Sequence, residues 1–355
     1  MKSLSASEIR QQFIQFFENK GHKHLPSSPL IPYNDPTVLL TTAGMLQFKP
    51  IMFGTEKPVY ARATTHQKCF RTTDLENVGF SPRHHTFFEM LGNFSFGDYY
   101  KADVIPWAWE FLTEVLELPK DKLHVTVYES DDEAYDIWHK EVGIPADHMY
   151  RLGDDTNFWA AGETGPCGPC SEIYFDLGPS MDKGATLHPG HDDDNRYLEI
   201  WNLVFMEFDR QSDGSLKSLP AKNIDTGMGL ERIASVIQGK SSNYDTDLIQ
   251  SIVSQIKPLV PAEGLQHERY TVALQVIADH ARAAVMLIGD GVQPGNEGRG
   301  YVLRRIIRRA VRFGQMIGIT DNFMYTLIPT ILELYTIYPE LAHKQEIIRE
   351  TILTE

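Results

Sequence analysis

A run around Asp225 combines a carboxylate, two close glycines and an arginine, and this combination suits a charged ligand. Asp225 precedes Gly227 and Gly229, and Arg232 follows them. The glycines leave the backbone open to a ligand, and the apolar period after them predicts a helix. Arg232 then lies in the first turns of that helix, where its guanidinium and the helix N-terminus both favour phosphate oxygens. An ordinary glycine turn, with Arg232 in a structural ion pair, explains the run about equally well.

A second group of candidate residues lies in residues 61–71 and 83–98, which are rich in basic, histidine and aromatic side chains. The short polar connection between them predicts a long hairpin with Arg71 at a strand end. A planar cation beside aromatic rings suits an adenine nucleotide. Phe87 and Phe88 point to opposite faces of a strand, so one of them must face inward, and phenylalanine-rich strands more often form core.

The third group is a set of six arginines between Arg299 and Arg312. On a helix, Arg304, Arg308 and Arg312 share one face, and an apolar stripe lies on another. A solvated charged face is the ordinary explanation of such a pattern. We expect few acidic partners nearby, and this favours a phosphate-binding ridge on an otherwise acidic chain.

A fourth pattern superficially offers four zinc ligands. Cys167 and Cys170 are followed by His188 and His191, but the histidines are closer together than in the usual zinc motifs. The glycines and prolines around the cysteines make a rigid turn the simpler interpretation. We therefore expect no zinc site in this segment.

The bulk composition fits about two globular domains, with 355 residues, 42% hydrophobic and 23% charged side chains. The net charge of -15 excludes a general nucleic-acid coat protein, so any nucleic-acid contact must be local. The sequence contains no uninterrupted apolar run of membrane-spanning length and no signal-peptide pattern at its polar N-terminus. With only three cysteines, these features predict a cytoplasmic protein that does not use membranes.

The periodicities predict an α+β fold: an antiparallel β-sheet flanked by helices, followed by an all-helical domain. We place the domains at 1–240 and 241–355, and expect the second to be truncated because its last helical pattern is still running at the end. A first helix is predicted over residues 6–20, ending at Gly21. The predicted strands are 38–42, 59–71, 86–94, 124–128, 172–176, 198–208 and 222–226.

These stretches together resemble the three signature motifs of class II aminoacyl-tRNA synthetases. Residues 20–31 resemble the first motif, with Pro29 as its proline. Cys69–Arg71 with residues 83–90 resembles the second, and residues 227–232 resemble the third. Further stretches resemble the alanine-specific members: 34–37, 43–45, 92–98, 165–170, 199–202 and 296–300. The resemblance covers essentially the whole chain.

The resemblance implies activation of alanine by ATP to alanyl-adenylate and pyrophosphate, followed by transfer to the 3′ end of tRNA(Ala). The implied fragment is N-terminal, catalytic and without an editing domain. Arg71 and Arg232 would be the catalytic residues, holding the α-phosphate and the γ-phosphate side of ATP. Implied ATP contacts are Arg71, Arg83, Phe87 (stacking on adenine), Met90, Gly229 and Arg232. Implied amino-acid contacts are Met45, Trp159, Asn202, Val204, Asp225 and Gly227. Implied contacts with the tRNA acceptor stem are Asn296, Arg304 and Arg308.

The implied cofactors are ATP and Mg²⁺. Glu89 and Asp98 are candidate Mg²⁺ ligands, although a structural role is the stronger expectation for each. Residues 72–74 depart from the family pattern, because they replace a longer loop that bears glycine and lysine. We expect the fragment to be monomeric.

Two other functions compete with this one. A class II paralogue could make adenylates of another carboxylate, but Asp225 still provides for an amine. A non-catalytic tRNA-binding module would not need Arg71 and Arg232, and both are present.

Overall fold

The computed structural model describes residues 3–33, 35, 38–181, 188–190 and 196–355. The chain forms two compact units. The first comprises Met1–Ser27, Ala43–Gln67 and Met90–Gly239, and the second comprises Ser28–Thr42, Lys68–Glu89 and Lys240–Glu355.

The first helix, α1 (Ala6–Asn19), shows how local sequence sets an element's bounds. The Ser5 side chain accepts a hydrogen bond from the Glu8 N–H, and the Glu8 carboxylate accepts one from the Ser5 N–H at 2.8 Å. This reciprocal cap satisfies donors that the first turn would leave unpaired. The helix ends before Gly21, whose φ of +86° is the left-handed conformation that glycine adopts without strain.

The described strands form one nine-stranded mixed sheet in the order β1-β2-β3-β9-β8-β7-β4-β5, with β6 paired to β7. The β1–β2 and β4–β5 pairs are parallel, whereas β3–β9, β9–β8, β8–β7, β7–β4 and β7–β6 are antiparallel. The strands are β1 (Lys23–His24), β2 (Arg62–Phe70), β3 (Phe87–Phe96), β4 (Leu123–Tyr128), β5 (Met149–Leu152), β6 (Phe158–Ala160), β7 (Gly165–Asp176), β8 (Tyr197–Arg210) and β9 (Leu216–Gly229).

The helices of the first unit after α1 are α2 (Lys49–Met52), α3 (Lys101–Glu110), α4 (Asp132–Asp136), α5 (Asp154–Asn157) and α6 (Leu230–Ile237). The second unit contains α7 (Asp247–Ile256), α8 (Tyr270–Gly289), α9 (Gly298–Met316), α10 (Ile328–Leu334), α11 (Pro339–His343) and α12 (Gln345–Thr354). The predicted fold class, a sheet flanked by helices with a helical C-terminal part, is confirmed.

The core of the first unit lies where α1 meets the sheet. The ring centroids of Phe13 and Trp201 are 5.6 Å apart, and those of Phe13 and Phe111 are 5.4 Å apart. All three rings are fully buried, and each contributes about 2–3 kcal/mol by leaving water. Because Trp201 faces this core, its neighbour Asn202 points to the opposite face of the sheet.

In the second unit, α8 carries a buried polar network around Asp279. The carboxylate accepts hydrogen bonds from the Thr86 backbone N–H at 3.2 Å and from the Thr86 hydroxyl. His85 Nδ1 lies 3.1 Å from one of its oxygens, and His280 Nδ1 lies 3.0 Å from the other. Arg309 donates to His280 Nε2 at 2.8 Å, and since guanidinium only donates, His280 must carry its proton on Nδ1.

Helix α8 is also long and apolar enough to cross a membrane by length and composition. Its most apolar window is 89% buried inside the protein, which is typical of the core helix of a globular domain. No other helix in the described residues meets both criteria.

The predicted strand at 38–42 is wrong, because this segment is irregular. Thr41 accepts a single hydrogen bond from Phe70 and donates one to Leu30, without forming a ladder. The short strands β5 and β6 were not predicted, since three or four residues give too little periodicity.

Candidate functional site

Two adjacent cross-strand pairs on β8 and β9 bring together four of the residues predicted to contact an amino acid. Asn202 lies opposite Gly227, and Val204 lies opposite Asp225. Directly opposed residues in antiparallel strands have Cβ atoms about 4.5–5.5 Å apart and point to the same face. This face is the one turned away from the Trp201 core.

Asp225 has a buried carboxylate, with the residue only 6% exposed. Burial alone raises its pKa to about 7. No cationic side chain of the described residues forms an ion pair with it. A buried acceptor of this kind is well suited to a ligand that brings its own positive charge.

Gly227 packs against Met90 on β3. A Cβ atom at Gly227 would lie 2.8 Å from the Met90 sulfur, so a larger residue there would displace the flexible Met90 side chain. Met90 itself pairs with Gly229, the residue before α6. The glycines leave this stretch of β9 without side chains of its own, and Met90 fills the space over Gly227.

Arg232 lies in the first turn of α6 and is held by Glu199 on β8. The same guanidinium nitrogen, Nη1, donates to Glu199 Oε2 at 2.7 Å and to the Glu199 backbone oxygen at 3.0 Å. The Arg232 side chain is 26% exposed. Within the described part of the chain, its Nε and Nη2 donors make no hydrogen bond, so they can donate to an anionic ligand.

Glu172, Tyr174 and Glu199 belong to this site but were missed in the sequence. The Tyr174 hydroxyl donates to Glu172 Oε2 at 2.5 Å, and Asn202 Nδ2 donates to Glu172 Oε1 at 2.9 Å. Burial, followed by the nearby Glu199 charge, raises the pKa of Glu172 to about 8. The available signal was a carboxylate and a hydroxyl two positions apart in an otherwise apolar strand.

Trp159 and Met45 are the other two residues predicted to contact the amino acid, and both lie outside the β8–β9 strand pairs. Trp159 is half-buried on β6 and pairs with Gly168 of β7. A Cβ at Gly168 would lie 2.0 Å from the Phe205 oxygen, so only glycine fits there. Met45 is fully buried, in a short 3₁₀ helix spanning Gly44–Phe48.

In the second unit, the predicted nucleotide residues centre on Arg71. Its guanidinium lies over the Phe88 ring, 5.0 Å from the centroid, and its Nε donates to the Thr42 oxygen at 3.4 Å. The Arg71 backbone N–H donates to the Thr86 oxygen at 2.9 Å, which fixes the strand end. Arg83 is half-buried, and its backbone oxygen accepts from the Asn243 amide.

The assignment of adenine stacking to Phe87 needs correction. Phe87 is fully buried, with its ring 5.8 Å from Tyr335 and 5.3 Å from the Arg282 guanidinium. Its neighbour Phe88 is half-buried and lies beside Arg71. Because strand residues alternate, Phe88 is the ring that a ligand can reach.

The short connection after Arg71 contacts α9. Glu76 forms an ion pair with Arg305, and the Val78 oxygen accepts from Arg309 at 3.4 Å. The loop therefore provides acceptors to the basic helix.

The basic ridge has more acidic partners than we expected, so that expectation is wrong. Besides the Glu76 pair, Glu355 binds Arg304 at 2.9 Å and Arg308 at 2.7 Å. Arg304 also donates to the Asn296 side chain. Arg312 is exposed on the same helix.

The candidate Mg²⁺ ligands do not fit a metal site. Glu89 is fully buried and accepts a hydrogen bond from the Tyr338 hydroxyl at 2.7 Å. Asp98 accepts from Arg62 Nε at 2.6 Å. The structure supports the structural roles of both, so no catalytic step is assigned to a protein-bound metal.

The zinc pattern is only partly within the described residues, since His191 lies outside them. Cys167 and Cys170 are buried in β7, and burial raises the pKa of both thiols. Metal ligation requires the thiolate, which this environment disfavours. No group of three or more potential ligands occurs among the residues that the structure describes.

The family model described as "tRNA synthetases class II (A)" matches residues 8–355. The chain therefore belongs to the class II tRNA synthetases. This class generally uses ATP with Mg²⁺.

The chain is similar to bacterial proteins named alanine–tRNA ligase. It is 53% identical over 353 residues to the one from Desulforamulus reducens, covering 99% of this chain and 40% of that protein. The identity is 50% over 357 residues with Francisella philomiragia subsp. philomiragia (99% and 41%) and 51% over 368 residues with a Psychrobacter species (100% and 40%). The chain thus spans about 40% of the length of these relatives.

Among solved structures, the S. aureus histidyl-tRNA synthetase aligns with 68% of this chain and 69% of its own. The identity is 11% and the TM-score is 0.40, and both values are too low to support a functional comparison.

Proposed function

We propose that this chain is the alanine-activating and tRNA-binding part of an alanine–tRNA ligase. It would convert alanine and ATP to alanyl-adenylate and pyrophosphate, and then transfer the alanyl group to the 3′ end of tRNA(Ala). The proposal is supported by the relatives' names at about 50% identity. The observation that carries it is the buried Asp225 carboxylate, which has no cationic partner among the described residues, on the same sheet face as Asn202 and Gly227.

In this proposal, Asp225 binds the substrate's ammonium group, because a cation restores the electrostatic balance that burial removes. Gly227 and Val204 would line the part of the site that receives the methyl group. Asn202 and Trp159 complete the walls, and Met45 supports them from its buried helix. We expect this site to accept a small α-amino acid and to reject one with a branched side chain.

The chemistry needs no general base. The alanine carboxylate is already ionised at pH 7 and can attack the α-phosphorus directly once it is held in line, and pyrophosphate leaves. The protein's contribution is positioning and neutralisation of charge on the phosphates. We assign the α-phosphate to Arg71 and the γ-phosphate side to Arg232. The Nε and Nη2 donors of Arg232 make no hydrogen bond within the described residues.

For the nucleotide base, we move the stacking role from Phe87 to Phe88. Arg83, Met90 and Gly229 remain proposed ATP contacts. Mg²⁺ would be carried on the ATP phosphates, where it adds to the neutralisation of charge. Zinc remains unexpected in this segment.

Residues 1–240 would be the catalytic domain and 241–355 the tRNA-recognition domain. Asn296, Arg304 and Arg308 remain the proposed acceptor-stem contacts, with the Glu355 carboxylate holding both arginines in place until the RNA phosphates compete for them. Arg312 adds an exposed positive charge to the same ridge.

Alanine-dependent ATP/pyrophosphate exchange tests the activation step, with serine, glycine and valine as competitors. A small apolar pocket separates substrates that differ by a hydroxyl or methylene only about 10- to 200-fold. Serine and glycine should therefore also be activated appreciably, and valine should be rejected. Absence of exchange with every amino acid would contradict the proposal, as would rejection of serine and glycine as complete as that of valine.

A further inference from the structure

We propose that Glu172 is a positioning residue that fixes the side-chain amide of Asn202, so that the Asn202 carbonyl oxygen faces the substrate's ammonium group. This inference rests on the proposed function, which supplies the ammonium group. It adds Glu172 to that function as the residue that determines which end of the Asn202 amide faces the substrate.

The geometry places the two side chains in direct contact. Glu172 on β7 lies opposite Asn202 on β8, and Asn202 Nδ2 donates to Glu172 Oε1 at 2.9 Å. The second carboxylate oxygen accepts from the Tyr174 hydroxyl at 2.5 Å. Glu172 is 7% exposed, so its two oxygens are committed to these two partners rather than to solvent.

This contact determines the orientation of the amide. The two ends of an asparagine side chain are nearly equal in size but opposite in character, since one only donates and the other only accepts. Because Glu172 Oε1 is an acceptor, it binds the NH₂ end of the amide, and Asn202 Oδ1 therefore points away from Glu172. Oδ1 is buried, and no donor within the described residues reaches it.

Oδ1 therefore needs a donor, and its neighbours indicate which one. Asn202 lies opposite Gly227, next to the Val204–Asp225 pair. An acceptor oxygen and a carboxylate at adjacent positions match an ammonium group, which has three N–H donors and no lone pair. A flipped amide would direct N–H donors at that cation and oppose binding.

The role of Glu172 does not depend on its charge. The charged groups around it are Glu199 and Arg232, which pair with each other at 2.7 Å, and the uncharged Tyr174 hydroxyl donates to it from its own strand. If Glu172 takes up a proton, that proton can lie on Oε2 towards the Tyr174 oxygen. Oε1 then still accepts from Asn202. Glutamine can form the same pair of contacts, with its carbonyl oxygen towards Asn202.

The test compares Glu172→Met with Glu172→Gln in the alanine-dependent exchange assay. Methionine keeps the volume but removes the acceptor, so the amide is free to flip. We expect its KM for alanine to rise about tenfold, with kcat and the KM for ATP within about twofold of wild type. Glutamine should keep the alanine KM within about threefold, because it restores the acceptor.

Other outcomes overturn the inference in distinct ways. An unchanged alanine KM in Glu172→Met means that the amide needs no support from Glu172. Equal losses in both variants mean that the charge matters rather than the orientation. A rise in the KM for ATP together with a lower melting temperature means that Glu172 only fills space.

If Glu172→Met does not fold, Glu172→Asp provides the measurement. Its carboxylate is one methylene further from Asn202, and we expect a three- to fivefold rise in the alanine KM. A folded Glu172→Asp with the wild-type KM would overturn the inference. Absence of exchange in the wild-type protein is a separate result, because it rejects the proposed function itself.

Discussion

Asp225 and Asp279 are both buried aspartates, yet their carboxylates have opposite properties. Asp225 on β9 is 6% exposed, and burial raises its pKa to about 7. Asp279 on α8 is fully buried, but its pKa is lowered: burial acts to raise it, and the hydrogen bonds from His280 and His85 more than offset that effect. Burial alone therefore does not determine the state of a carboxylate. The donors around it do.

Under the proposed function, the two carboxylates would have different roles. Asp279 receives donors from Thr86, His85 and His280, so it needs nothing further and acts as a structural centre. Asp225 has no cationic partner among the described side chains. A saturated buried carboxylate holds a fold together, whereas an unsaturated one costs stability and is retained where a ligand completes it.

The largest expected effect comes from Asp225→Ala. We expect kcat/KM for alanine in the exchange reaction to fall about a thousandfold, because losing the buried partner of a bound charge costs about 4 kcal/mol. The unfolding free energy should stay equal or rise, since an uncompensated buried carboxyl group is removed. Exchange kinetics and urea unfolding of the same protein provide the two measurements.

A near-normal exchange rate in Asp225→Ala would remove the contrast between the two aspartates. So would a lower unfolding free energy, because it would make Asp225 structural like Asp279. Asp225→Asn serves as the matched variant of nearly equal volume.

The second prediction concerns the unfolding free energy, which should fall here although it should not fall in Asp225→Ala. Asp279→Ala should lower the unfolding free energy by about 3–5 kcal/mol, because four donors in a buried network lose their shared acceptor. Urea unfolding measures this change. A loss of under about 1 kcal/mol would show that the network rearranges easily.

The third prediction concerns pH. Because burial raises the pKa of Asp225 to about 7, the ionised form that binds an ammonium group predominates only above that value. The KM for alanine should therefore rise about tenfold between pH 8 and pH 6. Glu172, with a pKa of about 8, also titrates nearby, so the profile should be repeated in Glu172→Gln, where the rise should persist. Its disappearance there would assign the titration to Glu172 instead.

The pH dependence of stability should also have opposite signs at the two sites. The folded-state pKa of Asp225 is raised, so its contribution is fully present below the unfolded value of about 3.9 and is lost as the pH rises through about 7. The folded-state pKa of Asp279 is lowered, so its contribution is present above about pH 3.9 and is lost in more acidic solution. Unfolding curves of Asp225→Asn and Asp279→Asn against wild type at pH 3, 5 and 8 separate the two.

The smallest expected effect lies at the edge of the Asp279 network. Arg309→Met removes the donor to His280 Nε2 and should cost about 1 kcal/mol of unfolding free energy. Arg312→Met, at an exposed position on the same helix, should change it by less than about 0.5 kcal/mol. Equal effects of the two substitutions would mean that the His280 contact contributes nothing.

How far the sequence predicts this molecule depends on whether a feature is local. The end of α1 followed from Gly21, because a helix breaker acts within a few residues. Adenine stacking was assigned to Phe87 rather than Phe88, because the sequence does not show that Tyr335 and Arg282 pack against Phe87 from elsewhere in the chain.

The candidate site shows the same division. Asp225, Gly227 and Arg232 were found because they form one continuous run. Glu172 was missed, because its meaning depends on Asn202 in the next strand. The acidic partner of Arg304 and Arg308 was missed for a similar reason, since Glu355 lies 51 and 47 positions further along the chain, after three more helices.

The composition of the second unit has a consequence for synthesis of the chain. Asp279 binds Thr86 across 193 positions, and Lys68 binds Glu340 across 272. At about 5–20 residues per second, Thr86 is synthesised about 10–40 s before its acceptor exists. Until then, Lys68 near the end of β2 and Thr86 just before β3 lack partners that have not yet been synthesised. We therefore expect nascent chains stalled before Asp279 to expose these strand ends to proteases and chaperones, even though the first unit's other strands are already complete.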